Sequence, residues 1–191
     1  MFDLRVPTTA SWLSQVMDNF DEFLLDHTLC ERKASAMGLS LVAKYPDRGL
    51  ILDALIDFAR EELEHFQIMF RIAHARGLRL PDDTKDAYVN GLMQWTTRGD
   101  SEALFLDRLL IPGIVEARGC ERLQLVTQAL PEGELKEAYA EVTRAEARHH
   151  ALFFRLARHY FDANVVKARA DFLLDREAEL IAQLPERPAV H

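Results

Sequence analysis

Two short segments place a glutamate three residues before a histidine within a helical pattern of apolar residues. Glu62 and His65 lie in "ELEH", and Glu146 and His149 lie in "EARH". Side chains three residues apart project from the same face of an α-helix, with Cβ atoms about 5–6 Å apart. One metal ion could therefore be bound by both side chains of each pair.

Two further glutamates occupy inward positions on the helices predicted to pair with these segments. Glu31 and Glu62 lie equally far from a turn at Pro46, and Glu116 and Glu146 lie equally far from a second turn. At a rise of about 1.5 Å per residue, each glutamate lies about 23 Å from its turn. If both turns lie at one end of a bundle, we expect the four carboxylates and two imidazoles to form one layer.

Glu121 is a competing candidate on the third long helix, because "CER" occurs at both 30–32 and 120–122. It would lie about 7.5 Å out of level with Glu146. We therefore choose Glu116 as the ligand from this helix.

Such a layer is unstable without cations, because buried carboxylates repel one another and resist the loss of water. Two divalent metal ions would balance four carboxylates. Carboxylate and imidazole ligands without thiolates suit iron or manganese, and the ligands alone do not choose between them. The alternative is a helical scaffold without metal, which requires the helix faces to be misassigned on several helices.

The composition predicts the kind of chain that positions these residues. The 191 residues are 49% hydrophobic and 28% charged, which is typical of one soluble domain, residues 1–191. Two cysteines, no apolar run of about 20 residues and no secretory signal favour a cytoplasmic protein without membrane association. The net charge of −8 does not attract nucleic acid at long range.

Helical periodicity covers nearly the whole chain, and alternating strand patterns are almost absent. We predict an all-α, ferritin-like four-helix bundle within residues 8–184: two antiparallel hairpins joined by a long crossover, with an additional C-terminal helix. The crossover spans 78–100, with a short helix between its turns, and the tail 185–191 is expected to be frayed. The predicted helices span about 9–43, 48–77, 101–130, 134–160 and 163–184.

The sequence resembles the di-iron carboxylate proteins of the ferritin-like class. Within that class it is similar to the tRNA-modifying hydroxylases of the MiaE family. The segments that carry this resemblance are "DHTLCERKAS", "REELEHF", "LLIPGIVEARGCERL" and "EARHHALF".

The resemblance implies an enzyme with two iron ions that hydroxylates the isopentenyl side chain of 2-methylthio-isopentenyladenosine, next to the anticodon of tRNA. It would use O₂ and an unidentified electron-transfer partner. The implied roles are terminal ligands to one iron (Glu31, His65), terminal ligands to the other (Glu116, His149) and bridging ligands (Glu62, Glu146). Alternatives are another di-iron oxidase, a manganese catalase or an iron-handling protein. Storage of iron needs a closed shell, and we favour a monomer.

Two residues near the ligands are candidates for contacts that orient them. His27 lies one turn before Glu31, and Cys120 lies one turn after Glu116. Ordinary packing is the alternative for both, and Cys30 is expected to face elsewhere.

Pro112 and Gly113 lie one turn before Glu116, where a proline either kinks the helix and opens a path to the metals or marks a restart. Aromatic and sulfur side chains in the crossover either cover the site, stack on a base or pack against the flank of the bundle. They are Tyr88, Met93 and Trp95.

Basic residues are expected to gather at the end of the bundle away from both hairpin turns, where the anticodon arm would bind. The candidates are Arg71, Arg76, Arg79, Arg155 and Arg158. The alternative is a solvated surface of mixed charge.

Overall fold

The computed structural model of the protein describes residues 3–82, 85–99 and 101–191. Within these ranges it contains seven helices and no strand. The helices are α1 (Ala10–Asp18), α2 (Phe20–Lys44), α3 (Gly49–Ala75), α4 (Ala87–Met93), α5 (Ser101–Ala129), α6 (Glu134–Ala157) and α7 (Ala163–Gln183). Among the helices in these ranges, none is both long and apolar enough to cross a membrane.

The four long helices form two antiparallel hairpins, α2 with α3 and α5 with α6. Helix α3 also packs directly against α6, whereas α2 and α5 are not in comparable contact. The crossover contains the predicted short helix, α4, and α7 packs against both α4 and α5. The predicted ferritin-like bundle with an additional C-terminal helix is therefore confirmed. The crossover turns at "LPDD" and "TRGD" fall partly outside the described residues, at positions 83 and 100.

The two hairpin turns lie at opposite ends of the bundle, so the expectation that they share one end is wrong. Tyr45, in the α2–α3 turn, packs on Phe105 near the start of α5, with ring centroids 4.5 Å apart. At the other end, Phe20 at the start of α2 packs on Tyr139 near the start of α6, at 5.7 Å. The ligand layer does not depend on this arrangement, because a glutamate about 23 Å from its turn lies near the middle of helices roughly 36–44 Å long.

The single helix predicted over residues 9–43 is interrupted at Asn19, which separates α1 from α2. Asn19 has φ −128° and ψ 43°, and its side-chain Nδ2 donates to the carbonyl of Gln15 at 2.9 Å. Asparagine side chains compete in this way with the helical hydrogen bonds of the backbone. No proline or glycine marks this break, so the apolar pattern alone misses it.

Helix α5 continues through Pro112 without restarting. At Gly113, a Cβ atom would lie 3.1 Å from Phe153 Cβ and 3.2 Å from the Phe154 ring. The glycine therefore allows α5 and α6 to approach closely one turn away from Glu116.

The C-terminal tail, residues 185–191, is packed, and the expectation that it is frayed is wrong. Ala189 and Val190 are buried. Trp12 Nε1 donates to the Ala189 carbonyl at 3.1 Å, and Arg122 Nη1 donates to the Val190 carbonyl at 3.0 Å. The Val190 N–H donates to Asp26 Oδ2 at 2.7 Å. Side chains from three helices thus hydrogen-bond to the tail backbone. Such tertiary contacts produce no periodic pattern in the sequence, so the sequence did not predict them.

A buried polar cluster fixes the crossover to α7. Glu177 Oε1 accepts hydrogen bonds from the Tyr88 hydroxyl at 3.1 Å and from Arg118 Nε at 2.9 Å. All three side chains are almost fully buried. Tyr88 therefore packs against the flank of the bundle, whereas Trp95 remains 42% exposed and contacts the Phe172 ring edge-on.

Candidate metal centre

The six predicted ligands lie together in one buried layer. They form two overlapping groups, and within each group the candidate ligand atoms lie within 4.8 Å of one another. The first group is Glu31, Glu62, His65 and Glu146, and the second is Glu62, Glu116, Glu146 and His149. Each of these residues is at most 7% exposed. Because Glu62 and Glu146 belong to both groups, the arrangement is that of two adjacent metal sites sharing two carboxylates.

Direct packing of α3 against α6 positions the two histidines. The rings of His65 and His149 lie 6.0 Å apart between centroids. The Phe58 ring contacts the His149 ring edge-on at 4.8 Å and the Phe153 ring in the same way at 5.0 Å. Aromatic packing by Phe58 thus restricts the orientation of the His149 ring.

Several buried polar atoms of this layer have no hydrogen-bond partner among the described residues. They are Glu31 Oε2, Glu62 Oε1, His65 Nδ1, Glu146 Oε1 and His149 Nδ1. Although His149 Nδ1 lies only 2.6 Å from Glu62 Oε1 and His65 Nδ1 lies 3.5 Å from Glu31 Oε2, neither pair has the geometry of a hydrogen bond. A buried polar group without a partner costs about 1–3 kcal/mol. Cations bound between these atoms would satisfy all of them, so the residues present fit a metal centre.

The electrostatics of the layer also favour cations. Burial, and then the neighbouring carboxylates, raise the pKa of Glu62 and of Glu146 well above the ordinary value. Burial alone would also raise the pKa of Glu31, but the charge and hydrogen bond of His27 outweigh it and lower that pKa. Ionising all four carboxylates at once therefore needs additional positive charge.

The structure places His27 where the sequence predicts an orienting residue. Its Nε2 lies 2.5 Å from Glu31 Oε1, and its Nδ1 lies 3.4 Å from the Tyr139 hydroxyl. Cys120 is partly buried, and burial followed by the carboxylate of Glu116 raises the pKa of its thiol.

Glu61 is a contact of the centre that the sequence did not reveal. Its Oε2 lies 2.9 Å from His149 Nε2, which can donate to it, and it also pairs with Arg148. Histidines that bind metals commonly donate their second ring nitrogen to a carboxylate in this way. Glu61 directly precedes Glu62 on α3 and is therefore outside the inward face that the helical pattern identifies. Its contact with His149 becomes visible only when α3 is packed against α6.

A cavity of about 480 Å³ leads from the carboxylates to the surface between α2 and α5. All four glutamates line it, but His65 and His149 do not. Its walls are mainly apolar, with Ala34, Met37, Leu41, Ile111, Pro112 and Val115. The crossover and the tail complete it through Val89, Met93, Val190 and His191. Cys30 also lines the cavity, contrary to the expectation that it faces elsewhere.

The predicted basic patch is divided between the two ends of the bundle. Arg71, Arg76 and Arg79 lie at or beyond the end of α3, near the start of α2, where Arg76 pairs with Asp21 at 2.6 Å. Arg155 and Arg158 lie at the end of α6, which is the opposite end. The expectation of one common patch fails because the two hairpin turns are at opposite ends.

The fold and the site define a ferritin-like protein with a buried layer of carboxylates and imidazoles that fits two metal ions. The family model described as tRNA-(MS[2]IO[6]A)-hydroxylase (MiaE) matches residues 2–191. The chain therefore belongs to this family of tRNA-modifying enzymes, as the resemblance predicted.

Similar proteins support the same assignment. The chain is 32% identical over 184 residues to the tRNA 2-(methylsulfanyl)-N(6)-isopentenyladenosine(37) hydroxylase of Pseudomonas putida, covering 96% of this chain and 88% of the relative. It is 26% identical to the enzyme of the same name from Salmonella typhimurium, covering 96% and 85% of the two chains. A solved structure, "Protein 43 with aldehyde deformylating oxygenase activity from Synechococcus", is 31% identical with a TM-score of 0.90, covering 97% of this chain and 92% of the other.

Proposed function

We propose that the protein is a di-iron, O₂-dependent monooxygenase that hydroxylates the isopentenyl side chain of 2-methylthio-isopentenyladenosine, next to the anticodon of tRNA. The observation that carries this proposal is the layer of four carboxylates and two imidazoles, which opens into an apolar cavity. Membership of the hydroxylase family supports the choice of substrate.

The two overlapping groups support the ligand roles that the family resemblance implies. Glu31 and His65 would hold one iron, Glu116 and His149 would hold the other, and Glu62 and Glu146 would bridge the two. The sharing of Glu62 and Glu146 between the groups supports this division.

Two adjacent irons, when bound, would supply the redox chemistry that activates O₂, and carboxylate ligands suit iron in its oxidised state. The chain contributes the surroundings of that chemistry. Apolar walls at Ile111 and Val115 exclude water and bind a hydrocarbon side chain next to the carboxylates. In the overall reaction, one oxygen atom enters a C–H bond of the substrate, the other leaves as water, and the donor supplies two electrons with two protons.

The position of the target nucleotide suits this cavity. A nucleotide in the anticodon loop is not held by base pairing within the tRNA, so it can leave the stack at a cost of a few kcal/mol. Its isopentenyl and methylthio groups are both apolar and match the walls of the cavity.

A second candidate is an oxygenase that acts on an aldehyde. The observation that favours it is the similarity to the Synechococcus protein, whose sequence identity to this chain is almost the same as that of the Pseudomonas enzyme. The apolar cavity would accept either hydrocarbon.

A single turnover tests the proposal and separates the two candidates. Iron-loaded, reduced protein is mixed with ¹⁸O₂ and with tRNA bearing the isopentenyl modification, and the nucleosides are examined by mass spectrometry. We expect one labelled oxygen atom in the modified nucleoside and none with a Glu62→Ala variant. Conversion of an aldehyde with a hydrocarbon chain in a parallel reaction, without labelling of the tRNA, would overturn the proposal in favour of the second candidate.

A further inference from the structure

Arg108 on α5 lines the cavity and has an unsatisfied donor. Its Nε is buried and has no hydrogen-bond partner among the described residues. A buried donor on a charged group without an acceptor costs more than the about 1–3 kcal/mol typical of neutral groups. A ligand bound in the cavity can supply the missing acceptor.

Arg108 lies towards the mouth of the cavity. It is two helical turns before Glu116, which corresponds to about 12 Å along α5. Exposed residues that line the same cavity, Ser40 and Met93, mark where it reaches the surface. Ile111 and Val115 occupy the wall between Arg108 and Glu116. The cavity thus presents carboxylates at its base, hydrocarbon in its middle and a guanidinium group near its mouth.

The substrate has the same order of groups. Its oxidised hydrocarbon side chain is followed by the base, the ribose and an anionic phosphodiester. When the side chain reaches the carboxylate layer, the remaining parts of the nucleotide extend towards the mouth.

The charges near Arg108 leave it available for an anion. Asp86, on the same cavity, is already paired with His191 at 3.2 Å. Within residues 3–82, 85–99 and 101–191, the remaining acidic residues that line the cavity are the four glutamates of the metal layer. Arginine presents planar donors that match phosphate oxygens in a bidentate geometry.

We propose that Arg108 binds a phosphate group flanking the modified nucleotide and makes the cavity selective for a nucleotide over an uncharged hydrocarbon. This inference rests on the proposed function, because it names how the same cavity recognises its substrate. It also accounts for the guanidinium group of Arg108 on the cavity wall, which a cavity that binds only an uncharged hydrocarbon does not need.

Binding measurements with four ligands test the role of Arg108. Calorimetry in phosphate-free buffer compares the isopentenyl-modified nucleoside, its 5′- and 3′-monophosphates and a modified anticodon stem-loop on iron-loaded protein. The variants are Arg108→Gln and Arg108→Lys. Arg60→Gln is the matched control, because Arg60 lies on α3 with its side chain 69% exposed.

We expect Arg108→Gln to weaken binding of one monophosphate and of the stem-loop by roughly 10- to 100-fold, the range of a charged hydrogen bond. Nucleoside binding should change by less than about twofold, because it lacks the phosphate. Arg108→Lys should retain part of the affinity, and Arg60→Gln should match wild type. The monophosphate that loses affinity identifies which phosphate Arg108 contacts.

Two results would overturn the inference: an equal loss of affinity for all four ligands, or no loss for any. Turnover is measured separately with the same ligands. If wild type hydroxylates none of them, the proposed function fails. A preference for the monophosphate over the nucleoside that disappears in Arg108→Gln would still establish the phosphate site in that case.

Discussion

The two sides of the bundle are built differently around the same layer of ligands. On the closed side, α3 packs directly against α6, with Phe58 and Phe153 in edge-on contact beside the histidines. On the open side, the cavity separates α2 from α5, and the crossover and the tail cover it. Under the proposed function, the closed side fixes the geometry of the ligands and the open side admits the substrate.

The difference also sets the direction of approach. Glu31 and Glu116 come from the open side, and Glu62 and Glu146 extend from the closed side into the cavity. His65 and His149 stay behind them and do not line it. A substrate in the cavity would therefore contact the carboxylates, whereas the two imidazoles lie on the far side of the layer, next to the packed helices α3 and α6.

Removing a ligand on the closed side should have the largest effect. In Glu62→Ala and His149→Ala variants we expect most of the about two irons per chain typical of four-helix di-iron proteins to be lost, together with all turnover. Iron is measured by elemental analysis of purified protein. The control is Glu121→Ala, because Glu121 hydrogen-bonds Thr8 instead of joining the layer. Wild-type iron content in the two ligand variants would show that the ligand assignment is wrong.

Narrowing the open side should affect turnover but not metal content. Ala34 on α2 lines the cavity, so Ala34→Leu should lower kcat/KM by roughly 10- to 100-fold, as when one or two methylene groups no longer fit. Ala75→Leu, on the exposed end of α3, is the matched control for the added volume. Iron analysis and single-turnover kinetics separate the two properties. Loss of iron in Ala34→Leu would place the residue in the metal site and not on the substrate path.

The ligands of both sides could be predicted from the sequence because their signals are periodic. Glu62 and His65 repeat the spacing of Glu146 and His149, and distance from the turns identifies the remaining glutamates. That deduction did not need the correct placement of the turns, because all four glutamates lie near the middle of their helices. The placement did matter for the arginines, which the structure separates.

The covering of the open side by the tail could not be predicted in the same way. The docking of Val190 depends on single hydrogen bonds from Trp12, Arg122 and Asp26, which are far apart in the sequence. Contacts of this kind follow no helical period. Only the three-dimensional packing shows that the tail is part of the cavity.

The outer contact of His149 should have a smaller effect than the ligands themselves. Glu61→Gln removes the charge next to His149 Nε2 and should lower metal affinity by roughly 10- to 100-fold, while the protein still binds iron at saturation. Competition with a chelator measures the affinity. The control is Glu64→Gln, an exposed glutamate on the same helix. Equal affinities in both variants would show that His149 is oriented by the aromatic packing alone.

The covering of the open side should depend on acid pH through Asp86. Burial opposes ionisation of this carboxyl, but the hydrogen bond and charge of His191, together with the N–H groups of Val89 and Tyr88, lower its pKa to about 2. Because the pKa is lower in the folded state, the Asp86 carboxylate stabilises the fold at pH values above the unfolded pKa of 3.8. This stabilisation disappears as the pH falls towards about 2. It amounts to at most about 2 kcal/mol.

Asp86→Asn tests this contribution, because asparagine can still cap α4 but carries no charge for His191. Urea unfolding should show a less stable variant near neutral pH, with iron content unchanged. The difference in unfolding free energy should shrink as the pH falls from about 4 towards 2, where the wild-type carboxylate also becomes protonated. A difference that stays constant across this range would mean that the amide disturbs packing around Cys30 and His191 and that the charge of Asp86 does not hold the tail.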